Sequence, residues 1–445
     1  MKQNDTASFC VLLFFIGYLA LAANLALRGD DEKPVDLVPK AAPMIAKNVV
    51  LELPSREGNP RNSEGDFIRL NSGDILYIYT HYYGESADDH ASARLMSRVS
   101  HNGGLTWSEE DELVLENEGR MNVMSVSLLR LRDQSIALFY LVKENAGDCR
   151  PYLRYSYDEG QTWTKRVETI ATPSYNVVNN SRVVLLSDGR IIIPVARHAY
   201  RGGDLYSYES KATLFCLISD DGGRHWIQSD EVPNANNIMY QEPGVVELAD
   251  GRLLMTIRNA SGRQYFAYSS DRGATWTDST PSPLVSPASP AAIKREPNGE
   301  RLIAVWNDSP NARNPLTIAL LSPDGTSVVS KRTLDKSDET GSRAFCYPAL
   351  FYATPETLLV GYCCGKAPWG LNASRISRVQ LSDLGIPSAK KPDPDVAKDG
   401  AASKARRMFR RHDAKTAPAA DDASNVGSSR TNYLDDDFAP QSANR

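Results

Sequence analysis

Five short segments of this chain share one pattern, which in its fullest form reads Ser-x-Asp-x-Gly-x-Thr-Trp. The copies begin at Ser100, Ser156, Ser219, Ser269 and Ser322 and are 50 to 63 residues apart. The first copy has Asn102 in place of the Asp, and the last lacks the Trp. A repeat of this length on segments rich in Val, Ile, Leu and Tyr is typical of radial or stacked β architectures. Because such architectures bring equivalent positions of successive repeats together, the pattern limits where a functional site can lie.

A second repeat, out of phase with the first, indicates the number of repeated units. Each copy has an apolar run, a short turn and another apolar run, as in Phe67–Leu70, Asn-Ser-Gly73-Asp and Ile75–Tyr79. Asp-Gly and Asn-Gly between β-rich runs are strong hairpin signals, because these residues readily adopt positive φ. The six turns lie at Gly73, Gln134, Gly189, Gly251, Gly299 and Glu356. The sequence therefore predicts an all-β domain, a six-bladed β-propeller over residues 48–383.

The Ser-x-Asp turns have a structural explanation. An Asp side chain at this position can bind the N–H groups of its own turn, the Gly permits a left-handed step, and the Trp can pack between neighbouring blades. A calcium loop would need further spaced oxygen ligands and a closing Glu, which these segments lack. No Cys-x-x-Cys pair or His cluster indicates a metal site either. We therefore expect no metal and no cofactor.

Composition and charge exclude some classes of partner. The formal net charge is −5 with 24% charged residues, so no basic surface is predicted for nucleic acid or for an anionic membrane. Residues 384–445 lack an apolar pattern and are predicted to be a disordered charged tail. We expect the protein to be a monomer.

The N-terminus has the pattern of a signal peptide. Lys2 precedes the apolar run Phe9–Leu21, and Ala20-Leu-Ala22 is a small-x-small cleavage site. We therefore expect residues 1–22 to be removed, residues 23–47 to form a linker, and the protein to be periplasmic or secreted, without stable membrane insertion. The alternative is an uncleaved anchor, since the apolar character continues weakly to Leu27. Export would leave five cysteines, hence at least one free thiol, and Cys346 and Cys363 lie on the first two predicted strands of one blade, where they could face each other.

Residues at matched distances from the hairpin turns are the candidates for chemistry. Glu242 lies nine residues before the turn at Gly251, and Arg258 lies seven residues after it. Tyr347 lies nine residues before the turn at Glu356, and Arg313 precedes the fifth Ser-x-Asp turn. With these residues and its Ser-x-Asp turns, which are called Asp boxes in that family, the chain resembles the sialidase (neuraminidase) superfamily over nearly all of 48–383.

The resemblance implies a role for each of these residues. Tyr347 would be the nucleophile and Glu242 its base, because a neutral Tyr avoids repulsion from the carboxylate of sialic acid. Arg258 and Arg313 would bind that carboxylate, which suits their planar guanidinium groups. Asp89 would be the acid that protonates the leaving oxygen, with Asp88 as the alternative. The arginines could instead be structural ion-pair partners, and the two aspartates plain loop charges.

The first blade departs from the family pattern. Sialidases place an Arg before Ile-Pro in this region, whereas here Arg61 is followed by Asn-Ser-Glu64. Arg61 is expected to complete the arginine triad. Glu64 would then point into the same funnel and repel an acidic sugar unless it pairs with Arg61. Asn180 occupies the corresponding position of the third blade and could bind a sugar hydroxyl.

The sequence thus predicts a retaining exo-α-sialidase that releases terminal sialic acid from glycoconjugates. One alternative is an enzyme on the same scaffold, such as a uronic-acid lyase, that acts on another acidic sugar. Another is a propeller that binds carbohydrate or protein without catalysis. The expected partners are sialylated or other acidic glycans.

Overall fold

The structure, a computed structural model, describes residues 42–45, 48–203, 207–297 and 299–385. The predicted signal peptide, most of the linker and the predicted tail from residue 386 onward lie outside these residues. Within them the chain is all-β and carries one short 3-10 helix, Leu381–Leu384. No described helix is long and apolar enough to cross a membrane.

The strands follow one another along the chain with short connections. They are β1 Val49–Leu53, β2 Asn62–Arg69, β3 Ile75–Tyr82, β4 Ala93–Ser100, β5 Glu112–Leu115, β6 Asn122–Arg130, β7 Ile136–Asn145, β8 Asp148–Ser156, β9 Val167–Glu168, β10 Tyr175–Val177, β11 Val184–Leu185, β12 Ile191–Tyr200, β13 Tyr208–Ser219, β14 Ile227–Gln228, β15 Gln241–Glu247, β16 Leu253–Arg258, β17 Arg263–Ser269, β18 Thr280–Val285, β19 Ala292–Arg295, β20 Leu302–Asn307, β21 Leu316–Leu321, β22 Val328–Asp335, β23 Arg343–Thr354, β24 Thr357–Lys366 and β25 Ala373–Gln380.

Most of these strands form four-stranded antiparallel sheets in simple up-and-down order. Three sheets have the orders β2-β3-β4-β5, β15-β16-β17-β18 and β19-β20-β21-β22. A fourth, β1-β25-β24-β23, takes its edge strand from the start of the described chain. Strands β6 to β14 form one nine-stranded sheet, in which the short strand β10 lies between β8 and β12. The two halves of this sheet are joined through β10 alone.

The hairpin turns explain why the strands pair as they do. In the turn between β2 and β3, Gly73 has φ +93°, and its N–H donates to the Leu70 carbonyl over 2.9 Å. Gly189 and Gly251 adopt the same left-handed conformation in their turns. The strands on the two sides of each predicted turn pair antiparallel. In the last of these pairs Cys346 lies opposite Cys363, and both are free thiols.

The apolar core lies between the faces of successive sheets. Ile78 of β3, for example, packs in one cluster with Leu138 of β7, and both side chains are fully buried. The first and last sheets also share a cluster, which contains Tyr77 of β3 and Leu359 of β24. Replacing a fully buried leucine such as Leu138 with Ala costs about 2–5 kcal/mol in comparable cores. The sheets therefore stabilise one another through their faces.

The strand directions separate two ends of the molecule. Gln241, at the start of β15, pairs with Arg258, at the end of β16. At the other end of the same sheet, Leu253 pairs with Ser269, where a Ser-x-Asp turn begins. Starts of first strands and loops between second and third strands therefore lie at one end, which we call the strand-start end. The hairpin turns and the Ser-x-Asp turns lie at the other, which we call the turn end.

Candidate active site

A cavity of about 380 Å³ opens at the strand-start end. Six of the eight sequence-predicted site residues line it, namely Arg61, Asp89, Glu242, Arg258, Arg313 and Tyr347. The rest of its lining consists of Ala87, Asp88, Val177, His198, Tyr208, Gln241, Trp369 and Leu371. Residues that are far apart in the sequence thus meet in one cavity.

Tyr347 and Glu242 form the polar centre of the cavity. The Tyr347 hydroxyl donates a hydrogen bond of 3.1 Å to Oε1 of Glu242. Arg258 donates from Nη1 to the other carboxylate oxygen, Oε2, in a charge-assisted hydrogen bond. One carboxylate therefore holds both the phenol and a guanidinium group in fixed positions.

The surroundings set the protonation states of this pair. Burial acts to raise the pKa of Glu242, but Arg258 and then Arg313 lower that pKa below its usual range. Burial raises the pKa of Tyr347 well above its usual range, and the charge of Glu242 raises it further, although Arg258 and Arg313 oppose this. At neutral pH the site thus holds a neutral phenol next to an ionised carboxylate, which can accept the phenol proton.

An unusual backbone conformation aims these side chains into the cavity. Glu242 has φ +32° and Tyr347 has φ +52°, and the strand register shifts at both positions. Such bulges turn a side chain away from the sheet, and positive φ at a non-glycine residue is strained by on the order of 1–3 kcal/mol. Glu64 on β2, Ser125 on β6 and Ser181 just before β11 have the same conformation, with φ +53°, +60° and +56°.

Arg313 lies over this centre and forms no direct ion pair with a carboxylate of the described residues. Its guanidinium donates to the carbonyl oxygens of Trp369, at 3.0 Å, and Ala288, at 3.4 Å. It lies 5.8 Å from the centre of the Tyr347 ring and 5.4 Å from that of Trp369. A guanidinium that donates only to carbonyl oxygens has donors left for an anionic ligand.

Arg61 is almost fully buried and touches two carboxylates. It donates from Nη2 to Oε2 of Glu64 over 3.1 Å and from Nη1 to Oδ1 of Asp89. The side chain of Asp89 is 58% exposed, so this carboxylate is within reach of a ligand. Partial burial acts to raise the pKa of Asp89, but Arg61 and Lys143 lower that pKa to about 2. Asp88 instead caps its own loop, where it accepts from the His90 N–H.

Glu64 and Asn180 lie beneath the cavity and do not line it. Oε2 of Glu64 accepts from Ser63 at 2.9 Å as well as from Arg61, so the carboxylate is paired. Burial raises the pKa of Glu64, and Arg61 opposes this. Asn180, which is 1% exposed, donates to the carbonyls of Gly65, at 2.9 Å, and Tyr347, at 3.3 Å. Asn180 therefore supports the Tyr347 strand from outside the lining of the cavity.

Sequence reasoning missed several residues of the cavity wall. His198 is bound through Nδ1 to the Glu209 carbonyl at 2.7 Å, and burial lowers its pKa. Because a carbonyl only accepts, Nδ1 carries the proton and Nε2 is left as an acceptor. The His198 ring packs edge-on against Tyr208. Trp369 is 62% exposed. The position of Trp369 between Pro368 and Gly370, in a loop between a second and a third strand, is the signal that could have found it.

Comparisons with known proteins show similarity to sialidases. A sialidase of Clostridium perfringens is 26% identical over 278 residues, which are 55% of this chain and 67% of that protein. An anhydrosialidase of the leech Macrobdella decora is 27% identical over 201 residues, and the match covers 41% of this chain but only 25% of the leech protein. An intramolecular trans-sialidase structure from Ruminococcus gnavus superposes with a TM-score of 0.59 at 15% identity, over 78% of this chain and all of that one. This last likeness concerns the fold alone.

A family model supplies the classification. The model described as a BNR repeat-like domain matches residues 73–360. This stretch is more than half of the chain and contains the Glu242, Arg258, Arg313 and Tyr347 positions. The protein therefore belongs to the BNR-repeat family of the sialidase superfamily.

Proposed function

We propose that this protein is a retaining exo-α-sialidase that releases terminal sialic acid from glycoconjugates. The observation that carries the proposal is the hydrogen bond from Tyr347 to Glu242, in a cavity where Arg61, Arg258 and Arg313 are grouped. A neutral nucleophile with an adjacent ionised base suits a sugar whose anomeric carbon bears a carboxylate. The sialidase relative from Clostridium perfringens supports the same substrate class.

In the proposed first step the phenol oxygen of Tyr347 attacks the anomeric carbon while its proton passes to Glu242. The bond to the leaving oxygen breaks, and Asp89 donates a proton to that oxygen. Water then displaces the Tyr347 oxygen at the anomeric carbon and gives its proton to Asp89, and Glu242 returns the first proton to Tyr347. Two displacements at one carbon retain its configuration.

Substrate binding itself would prepare Asp89 for its role as an acid. Without substrate, the contact with Arg61 keeps Asp89 ionised at neutral pH. A substrate carboxylate bound at Arg61 would neutralise part of that positive charge, so the pKa of Asp89 would rise. A sugar without a carboxylate would leave Asp89 ionised, so Asp89 could not donate a proton to the leaving oxygen.

Activity is tested with a fluorogenic α-sialoside, from which the free sialic acid is measured. Release of sialic acid supports the proposal. Unsaturated product from a uronate polymer would support a lyase, and binding of sialoglycans without turnover would support a binding module.

A second candidate, an intramolecular trans-sialidase, is favoured by Trp369. The exposed Trp369 ring lies at the cavity beside Arg313, where an apolar surface can exclude water from a reaction intermediate. If water is excluded, a hydroxyl of the bound sugar itself would displace Tyr347. Mass spectrometry of the released sugar distinguishes the two, because an anhydro sugar is one water lighter than free sialic acid.

We also propose that the sheets form one closed ring of six blades. The nine-stranded sheet would be two blades, because β10 pairs with β8 through one residue, Tyr175, opposite Cys149. The shared cluster of the first and last sheets, and the pairing of β1 with β25, support closure. A propeller of this kind brings the innermost strands to one axis. Limited proteolysis that leaves a single resistant core would agree with it.

We propose that the chain is exported through a signal peptide at residues 1–22 and acts as a monomer on sialylated glycans. The apolar run Phe9–Leu21 and the site at Ala22 support export. N-terminal sequencing of the mature protein and its mass in solution test these two points.

Replacing Arg313 or Arg258 with Lys will lower kcat/KM roughly ten- to a hundredfold. The reason is that an ammonium group cannot reproduce the planar donor fork, and hydrogen bonds to charged groups contribute about 1.5–3 kcal/mol. The loss will shrink for a substrate whose carboxylate is esterified. Arg263→Lys, whose guanidinium donates to the Ser282 carbonyl away from the cavity, is the control. Equal losses on acid and ester would show that the two arginines only support the scaffold.

Replacing Asp89 with Asn will lower kcat on a natural sialoside by on the order of 10²-fold, because the acid is lost. The loss will be much smaller for a sialoside with a good leaving group, which needs little protonation. Asp88→Asn is the matched control, since Asp88 is bound to its own loop. A loss at Asp89 that is independent of the leaving group would contradict the assignment of the acid.

A further inference from the structure

A second cavity, of about 290 Å³, lies at the turn end, away from the candidate active site. Ser156, where one Ser-x-Asp turn begins, pairs with Ile136, next to a hairpin turn. Ser219 pairs in the same way with Ile191. The cavity lies between these two neighbouring groups of turns, and among the residues that line it are Arg132, Asp133, Tyr155, Tyr157, Asp220 and Arg224.

Tyr157 presents an aromatic ring to solvent at this cavity. The residue is 71% exposed, the largest exposed fraction among the large apolar and aromatic residues that the structure describes. The ring lies within 22° of parallel to the Tyr155 ring, at a centroid distance of 6.4 Å. Tyr155 is itself fixed, because its hydroxyl donates to the Gly222 carbonyl over 2.9 Å. A partly buried ring thus supports an exposed one and keeps it open for stacking.

Both donors and acceptors line the cavity around this ring. Arg132 and Arg224 donate to backbone carbonyls, at 3.5 Å and 3.2 Å, and a guanidinium has five donors, so each retains further ones. The Asp220 carboxylate is held by Arg190 through two bonds of 2.7 Å and keeps acceptor sites. A rim of this kind does not select for charge of either sign.

We propose that this cavity is a binding site for a neutral pyranose ring. The apolar C–H face of the sugar would stack on Tyr157, since aromatic faces attract polarised C–H edges. Adjacent hydroxyl groups both donate and accept, and so would bind the Asp220 carboxylate and the Arg224 guanidinium together. A fully apolar ligand would leave the free donors of Arg132 and Arg224 without partners, and a charged sugar would gain no charge complementarity from a rim that carries both signs.

Because the site lies at the turn end, away from Tyr347, it could bind one glycan while the candidate active site acts on another. A glycan held at the turn end keeps the protein near other glycan chains on the same surface. Weak binding of that kind raises the local concentration of substrate without any change in the active site.

The test uses methyl β-galactopyranoside and methyl α-mannopyranoside, two neutral sugars without a carboxylate, with saturation-transfer NMR and calorimetry on the full chain. We expect saturable millimolar binding of at least one sugar, and Tyr157→Ala and Arg224→Ala will each weaken that binding by roughly tenfold. Tyr200→Ala, which removes an exposed tyrosine at the strand-start end, will leave it unchanged. Thermal unfolding checks that each variant folds.

Three results would overturn the proposal. One is that no saturable binding is detected even when the sugar concentration is well above the millimolar range. Another is unchanged affinity in Tyr157→Ala. The third is competition by a sialoside analogue that binds at Arg313, since this would place the sugar in the active site. None of these depends on whether Tyr347 is a nucleophile, so the outcome is separate from that of the proposed sialidase activity.

Discussion

Replacing Tyr347 with Phe will lower kcat by about 10³-fold or more and will change substrate binding little. The variant keeps the ring and the shape of the cavity, but it removes the oxygen that attacks the sugar and the proton that Glu242 accepts. The measurement is steady-state turnover of an α-sialoside, with binding followed separately by calorimetry. Tyr208→Phe, which removes a hydroxyl from the wall of the same cavity, is the matched control and will lose far less.

Replacing Glu242, the hydrogen-bond partner of Tyr347, with Gln will also lower kcat. It replaces the ionised carboxylate with an amide that accepts no proton, so kcat will fall by roughly 10²–10⁴-fold. Because the two residues act as a unit, the double variant will be little slower than Tyr347→Phe alone. Additive losses in the double variant would mean that Tyr347 and Glu242 work separately.

Replacing Arg61 with Met will lower the free energy of unfolding by about 3–5 kcal/mol, because the buried carboxylate of Glu64 loses its charged partner. Urea unfolding followed by circular dichroism measures this loss. The double variant Arg61→Met/Glu64→Gln leaves no uncompensated charge and will recover much of the stability. If the double variant is as unstable as the single one, packing of the Arg61 side chain and not its charge holds this region together.

The destabilisation by Arg61→Met will also depend on pH. In the native protein the pKa of Glu64 is already raised by burial, and Arg61 opposes that rise. Without Arg61 the folded-state pKa of Glu64 lies further above its unfolded value. A carboxyl group with a raised folded-state pKa is favourable when protonated, so stability falls as pH rises through that range. The variant will therefore approach the wild-type stability in acid and differ from it most at pH values above the folded-state pKa of Glu64.

Local signals made the hairpins predictable. Each turn of the type at Gly73 or Gly251 is encoded within a few residues, since only certain residues adopt positive φ there. The joining of the two halves of the nine-stranded sheet through Tyr175–Val177 was not predictable, because a three-residue strand carries no recognisable pattern. The register of such a strand is decided by the larger strands on both sides of it.

A fixed distance from the hairpin turns predicted part of the site, because a bulge with a left-handed residue recurs about nine residues before each of several turns. Glu64, Glu242 and Tyr347 all lie nine residues before their turns, and all three have positive φ. On the segment before β11 the left-handed residue is Ser181, not Asn180, so the count was one residue off there. A shift of one residue along an extended segment turns a side chain to the other face, which is why Asn180 is buried.

Other residues of the cavity lie in loops, where the distance from a hairpin turn predicts nothing. Asp89, Arg313 and Trp369 all lie between the second and third strands of their sheets, and the strand directions alone place such loops at the strand-start end. Their contacts depend on tertiary packing, since Arg313 reaches the Trp369 carbonyl across 56 residues of sequence. The sequence therefore predicts which loops form the site, but not which of their residues meet.

The central claim is that Tyr347 forms a covalent bond with the sugar during turnover. It is tested by incubating the protein with a 2,3-difluorinated sialic acid, whose adduct forms faster than it is hydrolysed, followed by peptide mass spectrometry. We expect the sugar on the peptide that contains Tyr347, with no adduct in Tyr347→Phe and slower formation in Glu242→Gln. Turnover of an α-sialoside without any adduct, or an adduct on another residue, would contradict the account.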